Sequence, residues 1–198
     1  KFLTLQERTF NIIDSEQVKL KEQTLFKANG EEGLHLWEAS VVLSRWAVLN
    51  KKMFDGKSVL ELGTGCGLLG IALLKFTNVK EMVFTDYIDS VLTNLKENIA
   101  LNQINHKHSE GEIKDTHTSS INCTMCYPNR TNIMKLDWKD YEKYSNCKKY
   151  DILIGSELIY QGGPIKELAC LIKNILSDNG VAYISMPLKR SMTEKFTE

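Results

Sequence analysis

The most informative stretch of this sequence is Ser58-Val59-Leu60-Glu61-Leu62-Gly63-Thr64-Gly65-Cys66-Gly67-Leu68-Leu69-Gly70. Its apolar beginning predicts a buried strand, and the apolar run from Leu68 to Leu74 predicts a helix packed on a sheet. Between them, glycines fill alternate positions at Gly63, Gly65 and Gly67. Because glycines let backbone N–H groups and a helix N-terminus approach a ligand closely, this order predicts the turn with which a doubly wound α/β fold receives an adenosine-bearing cofactor.

Glu61 indicates which cofactor is expected. The residues from Gly65 to Gly70 also satisfy the dinucleotide pattern G-x-G-x-x-G, but that pattern alone is weak. We expect Glu61, near the strand's end, to point at the crevice in which such sheets bind ligands. A fixed negative charge there would repel a pyrophosphate and attract a cation. S-adenosylmethionine carries a sulfonium and an α-amino group but no phosphate, so it is the expected cofactor, with S-adenosylhomocysteine as its product.

Composition excludes several classes of partner. The chain has 198 residues, enough for one domain with a good core, which we place at residues 1–198. Lysine plus arginine and aspartate plus glutamate both number 25, so charge gives no argument for nucleic acid or an anionic membrane. No apolar run approaches the roughly 20 residues that span a bilayer. We therefore expect a monomer that binds neither nucleic acid nor membrane.

Cysteine usage and the chain start bear on location. Five cysteines, an odd number at scattered spacing, indicate reduced thiols in an intracellular protein. The start has no signal pattern, and its lack of an initial Met suggests a fragment. We expect a cytoplasmic protein, with the nucleus as a second location.

Hydrophobic periodicity predicts alternating strands and helices. In an N-terminal extension, residues 1–33, Thr9–Ile13 and Gln17–Leu20 are expected to pair across an Asp14-Ser15 turn. The alternation predicts five parallel strands with the first placed centrally. The elements expected beside the first strand and its helix are helix Leu36–Leu49, strand Met82–Asp86, helix Val91–Leu101, strand Ile133–Leu136, strand Tyr150–Gly155, helix Ile165–Leu176 closed by Asn179-Gly180, and strand Val181–Met186.

A polar insertion at residues 103–130 interrupts this alternation. It has little apolar content, and we expect a long, mobile insertion. It contains a C-x-x-C pair, Cys123 and Cys126, and three histidines, His106, His108 and His117. A lone C-x-x-C without a second pair at metal spacing is a weak signal, so surface thiols are expected and no metal site is predicted.

Two further strands end in acidic residues that could hold adenosine. Asp86 can accept both ribose hydroxyls, as it would in a dinucleotide enzyme as well. Tyr87 beside it can cover the adenine ring or simply pack. Asp137 can accept the exocyclic amine of adenine, and Trp138 offers a flat apolar wall. A turn aspartate and a half-buried tryptophan would explain that last pair equally well.

Taken together, the motifs resemble the lysine-methylating branch of the seven-strand (class I) methyltransferases. The resemblance covers about residues 33–187, apart from the insertion. Its motifs here are Gly33-Leu34-His35-Leu36-Trp37-Glu38-Ala39, Glu61 to Gly67, Asp86, Asp137-Trp138, and Glu157-Leu158-Ile159-Tyr160. Residues 40–62 are most similar to the subgroup that methylates translation elongation factor 2. Gly33 to Glu38 and Tyr150 to Tyr160 also look like the related protein-histidine methyltransferase.

The resemblance implies roles for individual residues. It implies that Glu157 accepts hydrogen bonds from a lysine amine and orients it, and that Tyr160 walls the pocket near the transferring methyl. Trp37 and Trp138 would enclose the cofactor, and Ser156 is expected among the residues that contact it. Glu157 could instead satisfy N–H groups at the start of the following helix. No residue is an obvious base, so the amine is expected to lose its proton to solvent.

Three alternatives stay open at this point. A small-molecule methyltransferase usually has a proline-containing motif after the fourth strand, which is absent here. A nicotinamide oxidoreductase is disfavoured by Glu61. The third alternative is a module that binds the cofactor without turnover. It arises because the family's sheet continues past the fifth strand into an antiparallel pair, whereas this sequence stops near the fifth strand. We therefore expect a sheet without that pair. Either the chain is a fragment or its C-terminus is unusual.

Overall fold

The computed structural model describes residues 5–24, 30–103, 123–127, 130–160 and 162–187, with 123–127 described as backbone only. Within these ranges, no helix has the length and hydropathy of a bilayer-spanning segment. Short 3-10 helices lie at Glu32–Leu34, Lys51–Phe54 and Trp138–Tyr144. The helices are α1 Glu38–Leu49, α2 Leu68–Phe76, α3 Asp89–Leu101 and α4 Ile165–Ile175, and the strands are β1 Gln6–Ile13, β2 Glu16–Glu22, β3 Ser58–Leu62, β4 Glu81–Asp86, β5 Cys123–Tyr127, β6 Thr131–Lys135, β7 Tyr150–Ser156 and β8 Leu176–Ser185.

The main sheet confirms the predicted α/β architecture. Its strand order in the described residues is β5-β6-β4-β3-β7-β8. β3 lies centrally and pairs in parallel with β4, at Leu60 and Val83, and with β7, at Leu60 and Leu153. β6 and β8 extend the parallel pairing outward on the two sides. The carboxyl ends of five parallel strands therefore meet at one edge, where doubly wound sheets bind ligands.

Both faces of this sheet are covered. Because side chains alternate along a strand, Val59 and Glu61 point to one face and Leu60 and Leu62 to the other. Val59 belongs to the core shared with α1, α2 and α3, whereas Leu60 and Leu62 belong to the core shared with α4. β3 is buried along its whole length, as expected for a central parallel strand.

The polar insertion is not wholly without regular structure, contrary to expectation. Cys123–Tyr127 forms β5, an edge strand that pairs antiparallel with β6, from Tyr127 opposite Thr131 to Cys123 opposite Met134. Backbone pairing to an existing sheet edge does not require an apolar sequence pattern, which explains why periodicity did not find it. His106, His108 and His117 lie outside the described residues, as do the side chains of Cys123 and Cys126.

The last strand also differs from the prediction. Helix α4 ends at Ile175, and Leu176 is already extended, with φ −80° and ψ 135°. Tyr150 pairs with Leu176 and Ile152 with Val181, so the intervening residues of β8 bulge out of register. Asn179-Gly180 therefore lies inside β8 rather than closing the helix.

The N-terminal hairpin is confirmed, with longer strands than expected. β1 and β2 pair antiparallel, and Asp14 in the turn has a φ of 48°. Val18 and Leu20 on β2 are fully buried in the core shared with α1 to α3. The hairpin therefore packs on the domain as one of its layers.

Candidate active site

The glycine turn connects β3 to α2 through left-handed backbone. Gly63, Gly65 and Gly67 have φ of 58°, 53° and 85°, values that residues with a side chain rarely adopt. Thr64 accepts the N–H of Gly67 at 2.9 Å through its carbonyl and donates its own N–H to the carbonyl of Thr85 at 2.8 Å. The turn is thereby bonded within itself and to the neighbouring strand.

Neighbouring groups also leave little space at these glycines. A Cβ on Gly67 would lie 2.4 Å from Cδ1 of Leu95 on α3. A Cβ on Gly65 would lie 3.0 Å from the carbonyl oxygen of Gly33. The turn is therefore bare backbone packed between α3 and the segment around Gly33, where a side chain would not fit.

Asp86 lies beside this turn, at the carboxyl end of β4. It is 7% exposed, and its Oδ2 accepts the N–H of Gly65 while its Oδ1 accepts the N–H of Ile88, both at 3.2 Å. Burial raises the pKa of this carboxyl, and backbone hydrogen bonds from Ile88, Gly65 and Tyr87 act in the opposite direction. Each carboxylate oxygen can accept a second hydrogen bond, so the group retains capacity for two hydroxyls of a ligand.

The Trp37 motif supplies a wall beside Asp86. Gly33 lies in the 3-10 turn before Trp37, and a Cβ there would be 3.7 Å from Oδ2 of Asp86. The indole N–H of Trp37 donates to the carbonyl of Glu32 at 3.3 Å, and its ring meets His35 edge-on with centroids 5.7 Å apart. Trp37 therefore braces the turn that brings Gly33 to the site.

Glu61 differs in orientation from the sequence prediction. It is 3% exposed, and its Oε2 accepts the hydroxyl of Thr64 at 2.7 Å. Burial raises its pKa to about 8, against the opposing hydrogen bonds from Thr64 and the backbone of Gly70. Strand alternation explains the difference, because it turns Glu61 toward α2 rather than along the strand to the crevice. The carboxyl lies under the turn and is predominantly protonated at pH 7.

Asp137 and Trp138 lie where β6 ends. The N–H of Leu136 donates to the carbonyl of Asp86 at 2.9 Å, which ties the two strand ends together. Oδ1 of Asp137 accepts the N–H of Lys139 at 3.0 Å and so caps the following 3-10 helix. The Trp138 ring lies 3.5 Å from the position of a Cβ on Gly63. Asp137 is thus a capping aspartate, as one reading expected, and Trp138 lies against the turn.

Glu157 follows β7 in a conformation that its residue type disfavours. Its φ is 57°, and its N–H donates to the carbonyl of Ser185 at 2.8 Å. The side-chain oxygen Oε2 is buried. Left-handed backbone at a residue other than glycine costs about 1 to 2 kcal/mol, and such strain often accompanies a functional position. Ser156 before it is half-buried and pairs with Ser185 in the sheet.

Tyr160 shares its surroundings with the acidic strand ends. It is 40% exposed, and partial burial raises the pKa of its hydroxyl, which the negative charges of Asp86, Glu32 and Asp137 raise further. The same three carboxylates act in the same direction on Tyr87, whose pKa is raised first by burial. We call Glu32, Asp86 and Asp137 the acidic mouth. It lies within electrostatic reach of both tyrosines, so the structure brings the strand-end residues together in one region.

Three residues of this region were missed from the sequence. Gly33 was quoted as part of the tryptophan motif but not as a site residue, although its position next to that motif was a usable signal. Thr64 anchors Glu61 and gave no signal of its own. Asn98 contacts the glycine turn from α3, and its signal is an asparagine at every fourth position, Asn94, Asn98 and Asn102.

Solved structures with the same fold include proteins described as S-adenosylmethionine-dependent methyltransferases. One from Streptococcus mutans has a TM-score of 0.60 and 15% identity over 91% of this chain and 42% of that chain. Trm1 from Pyrococcus horikoshii, solved with S-adenosyl-L-methionine, has a TM-score of 0.57 and 15% identity over 91% of this chain and 42% of its own. The fold is therefore that of the S-adenosylmethionine-dependent methyltransferases.

Sequence comparison then gives the family. Residues 12–115 match the family model described as lysine methyltransferase. The human protein-lysine N-methyltransferase EEF2KMT is 27% identical over 87% of this chain and 49% of its own length. The histidine protein methyltransferase 1 homolog of Dictyostelium discoideum is 32% identical over 78% of this chain and 43% of its own length. The chain belongs to the lysine methyltransferase family, and it spans about half the length of these relatives.

Proposed function

We propose that this chain transfers a methyl group from S-adenosylmethionine to a lysine side chain of a folded protein. The observation that carries the proposal is Glu157, a carboxylate with one buried oxygen at the carboxyl end of β7. Its left-handed backbone holds it at the edge where the glycine turn and Asp86 also lie. Family membership supports the same activity.

The residues of the site suit the cofactor. The left-handed glycines leave the turn as bare backbone, because a Cβ there would collide with Leu158, Gly33 or Leu95. Asp86 has hydrogen-bonding capacity for the ribose hydroxyls. We assign Tyr87 and Asp137 to the adenine side of the site, and Trp138 lies against the turn. Glu61 lies below the glycine turn and positions it through hydrogen bonds with Thr64 and the backbone of Gly70. The full set that we assign to cofactor binding is Trp37, Glu61, Gly63, Gly65, Gly67, Asp86, Tyr87, Asp137, Trp138 and Ser156.

The chemistry needs a neutral, aligned amine. When bound, S-adenosylmethionine supplies a methyl carbon that forms a bond to the amine nitrogen as its bond to sulfur breaks, leaving S-adenosylhomocysteine. Glu157 accepts hydrogen bonds from the amine and orients its lone pair, and this alignment supplies much of the rate. The phenol of Tyr160 is protonated near neutral pH because its ordinary pKa is about 10, and burial raises that pKa further. It therefore walls the pocket and donates a hydrogen bond rather than acting as a base. The amine's proton leaves to solvent.

The acidic mouth favours a cationic substrate. Glu32, Asp86 and Asp137 place negative charge around Tyr160, which attracts the ammonium form of lysine and the positively charged sulfonium. Asp86 would suit the ribose of either cofactor, but Glu32 and Asp137 would repel the phosphates of a nicotinamide dinucleotide. This charge distribution supports a methyltransferase over the oxidoreductase alternative.

Calorimetric titration tests the cofactor first. S-adenosylmethionine and S-adenosylhomocysteine should bind the chain, and NAD should not. The second step is transfer of a labelled methyl group to translation elongation factor 2, the substrate that we infer from the name of the relative EEF2KMT. Label in the factor supports the proposal, whereas binding without transfer to it or to any protein of a cell extract supports a cofactor-binding module without turnover.

Histidine is the second candidate acceptor, because the Dictyostelium relative is named a histidine protein methyltransferase. Mass spectrometry of the labelled substrate distinguishes the two, since the modified residue is identified directly. A methylated histidine would overturn the lysine assignment while leaving the cofactor assignment intact.

Location and assembly follow from the proposed substrate. A translation factor is met in the cytoplasm, so we place the protein there, acting as a monomer. Imaging of a fluorescent fusion and light scattering of the purified chain test these two points separately.

A further inference from the structure

The outer edge of β2 is hydrogen-bonded to side chains of α3 rather than to another strand. Asn102 accepts the N–H of Lys19 at 3.0 Å and donates to its carbonyl at 2.6 Å. Asn98 likewise accepts the N–H of Lys21 at 2.7 Å and donates to the Lys21 carbonyl at 3.2 Å. Asn94 donates to the Lys21 carbonyl at 2.9 Å. Residues four apart share a helix face, so these asparagines form a stripe, which we call the asparagine stripe.

Asn98 differs from its two neighbours in one contact. Its Nδ2 also donates to the carbonyl of Cys66 at 2.9 Å, and Cys66 is the residue between the left-handed Gly65 and Gly67. Asn98 has no exposed surface. Among the described residues, Asn98 is the member of the stripe that is bonded to the glycine turn.

This bond completes the restraint of one peptide group. The N–H of Gly67 donates to the carbonyl of Thr64 at 2.9 Å, while the carbonyl of Cys66 in the same peptide accepts from Asn98. A peptide next to two glycines rotates easily unless both of its ends are held. The carbonyl oxygen is thereby turned toward α3.

The hairpin holds the other side of the turn through Glu22. This side chain, at the end of β2, is fully buried, is ion-paired with Arg8, and accepts the N–H of Leu36 at 2.9 Å. The carbonyl of Leu34 accepts the N–H of Gln23 at 2.7 Å. These bonds hold the segment that contains Gly33, against which Gly65 packs.

We propose that Asn98 is a positioning residue for cofactor binding, and that through it the hairpin β1–β2 forms part of the cofactor site. Asn98 fixes the Cys66 peptide so that the turn is preformed before the ligand arrives. Preorganisation of this kind raises affinity because less freedom is lost on binding. The inference rests on the proposed cofactor, but the preformed turn is a property of the ligand-free chain.

The test compares Asn98→Ala with Asn102→Ala. Both variants remove bonds between the stripe and β2, but the second leaves the turn untouched. Three quantities are measured for each variant. Hydrogen exchange of the backbone amides of residues 63–67 is followed without ligand. The Kd for S-adenosylhomocysteine is measured by calorimetry, and the Tm is measured by thermal unfolding. The net free energy of one buried hydrogen bond sets the upper limit of the preorganisation effect, a change of roughly fivefold to tenfold in Kd.

In Asn98→Ala, we expect the backbone amides of residues 63–67 to exchange their hydrogens faster than in the parent. We also expect this variant to bind S-adenosylhomocysteine more weakly, by roughly fivefold to tenfold. Asn102→Ala should lower the Tm comparably but leave both other measurements unchanged. Should Asn98→Ala fold poorly, Asn98→Asp keeps the acceptor for the N–H of Lys21 but loses the amide that donates to the carbonyls of Lys21 and Cys66. It should show the same two changes.

The positioning role would be overturned if Asn98→Ala and Asn102→Ala changed the Kd and the hydrogen exchange of the turn equally. It would also be overturned if the backbone amides of the turn exchanged in the Asn98 variant as they do in the parent. Absence of binding by the parent chain would instead contradict the proposed function. In that case the exchange comparison still decides whether Asn98 holds the turn.

Discussion

The backbone N–H of Gly65 donates to the carboxylate of Asp86 across 3.2 Å, so the glycine turn and the end of β4 are bonded directly to each other. One carboxylate thus shapes the turn and also faces the space beside it. A substitution at Asp86 therefore affects two things at once, the conformation of the turn and the capacity to bind hydroxyl groups.

Asp86→Ala should weaken S-adenosylhomocysteine binding by about 30-fold or more, because two charge-assisted hydrogen bonds to the ligand are lost together with the bond to Gly65. Calorimetry measures the effect. Asp89→Ala is the matched control, since this nearby aspartate is exposed and pairs with Lys135 at the surface. Parent-like affinity in Asp86→Ala would contradict the ribose assignment.

Gly67→Ala should destabilise the fold more than Gly56→Ala. Both glycines are left-handed, with φ of 85° and 70°, so both variants lose about 1 kcal/mol to backbone strain. Only Gly67 is also crowded, by Leu95 at 2.4 Å from its Cβ position, whereas Gly56 has nothing within 4 Å. We expect about 1 to 3 kcal/mol of additional loss at Gly67, measured by urea unfolding. Equal losses would mean that packing against α3 does not restrict the turn.

Glu61→Gln should change how stability depends on pH. The folded carboxyl titrates at about 8, raised by burial from an ordinary value of 4.5. Between these values the folded state holds a proton that the unfolded state has lost, so rising pH destabilises the fold, by about tenfold in the folding constant per pH unit. The glutamine variant lacks this contribution, and its stability relative to the parent should rise from pH 5 to pH 8.

Urea unfolding at several pH values makes this comparison. Asp86 also has a raised pKa, but it is present in both proteins and contributes to both curves. Parallel curves would show that Glu61 is ionised in the folded chain.

Glu157→Gly should separate stability from activity. Glycine adopts the φ of 57° without strain, so relief of about 1 kcal/mol of strain offsets the loss of the side chain's own contacts, and the variant's free energy of unfolding should stay within about 1 kcal/mol of the parent's. Methyl transfer should fall by at least about 100-fold, because the group that orients the amine is lost. Asp14→Gly relieves the same kind of strain in the hairpin turn, at φ 48°, and should keep full activity. Equal activity in both variants would refute the role of Glu157.

Much of the fold was predictable because its elements carry strong local patterns. β3 is buried on both faces, so its apolar run was unambiguous, and the glycines after it required left-handed backbone. The strand ends then placed Asp86 and Glu157 at one edge by topology alone. These features follow from the spacing of apolar residues and from the glycines in the turn, both of which can be read from the sequence.

Other features depend on contacts between distant segments. The direction of the Glu61 side chain follows from strand alternation and from the position of α2. The alternation can be predicted from the sequence, but the position of α2 cannot. Asn98 on a helix is ordinarily a solvent-facing residue, and its burial becomes visible only when β2 is laid beside α3. β5 arises from edge pairing, which needs a partner strand rather than a pattern.

The bond between Asn98 and Cys66 has a consequence for the order of assembly during translation. The two residues are 32 positions apart, and Asn98 lies 77 positions after Lys21, which it also holds. A ribosome-bound chain that ends before residue 98 contains all the glycines of the turn and both strands of the hairpin, yet lacks the amide that fastens one to the other. The nascent protein therefore gains a finished cofactor cradle only after α3 has left the exit tunnel.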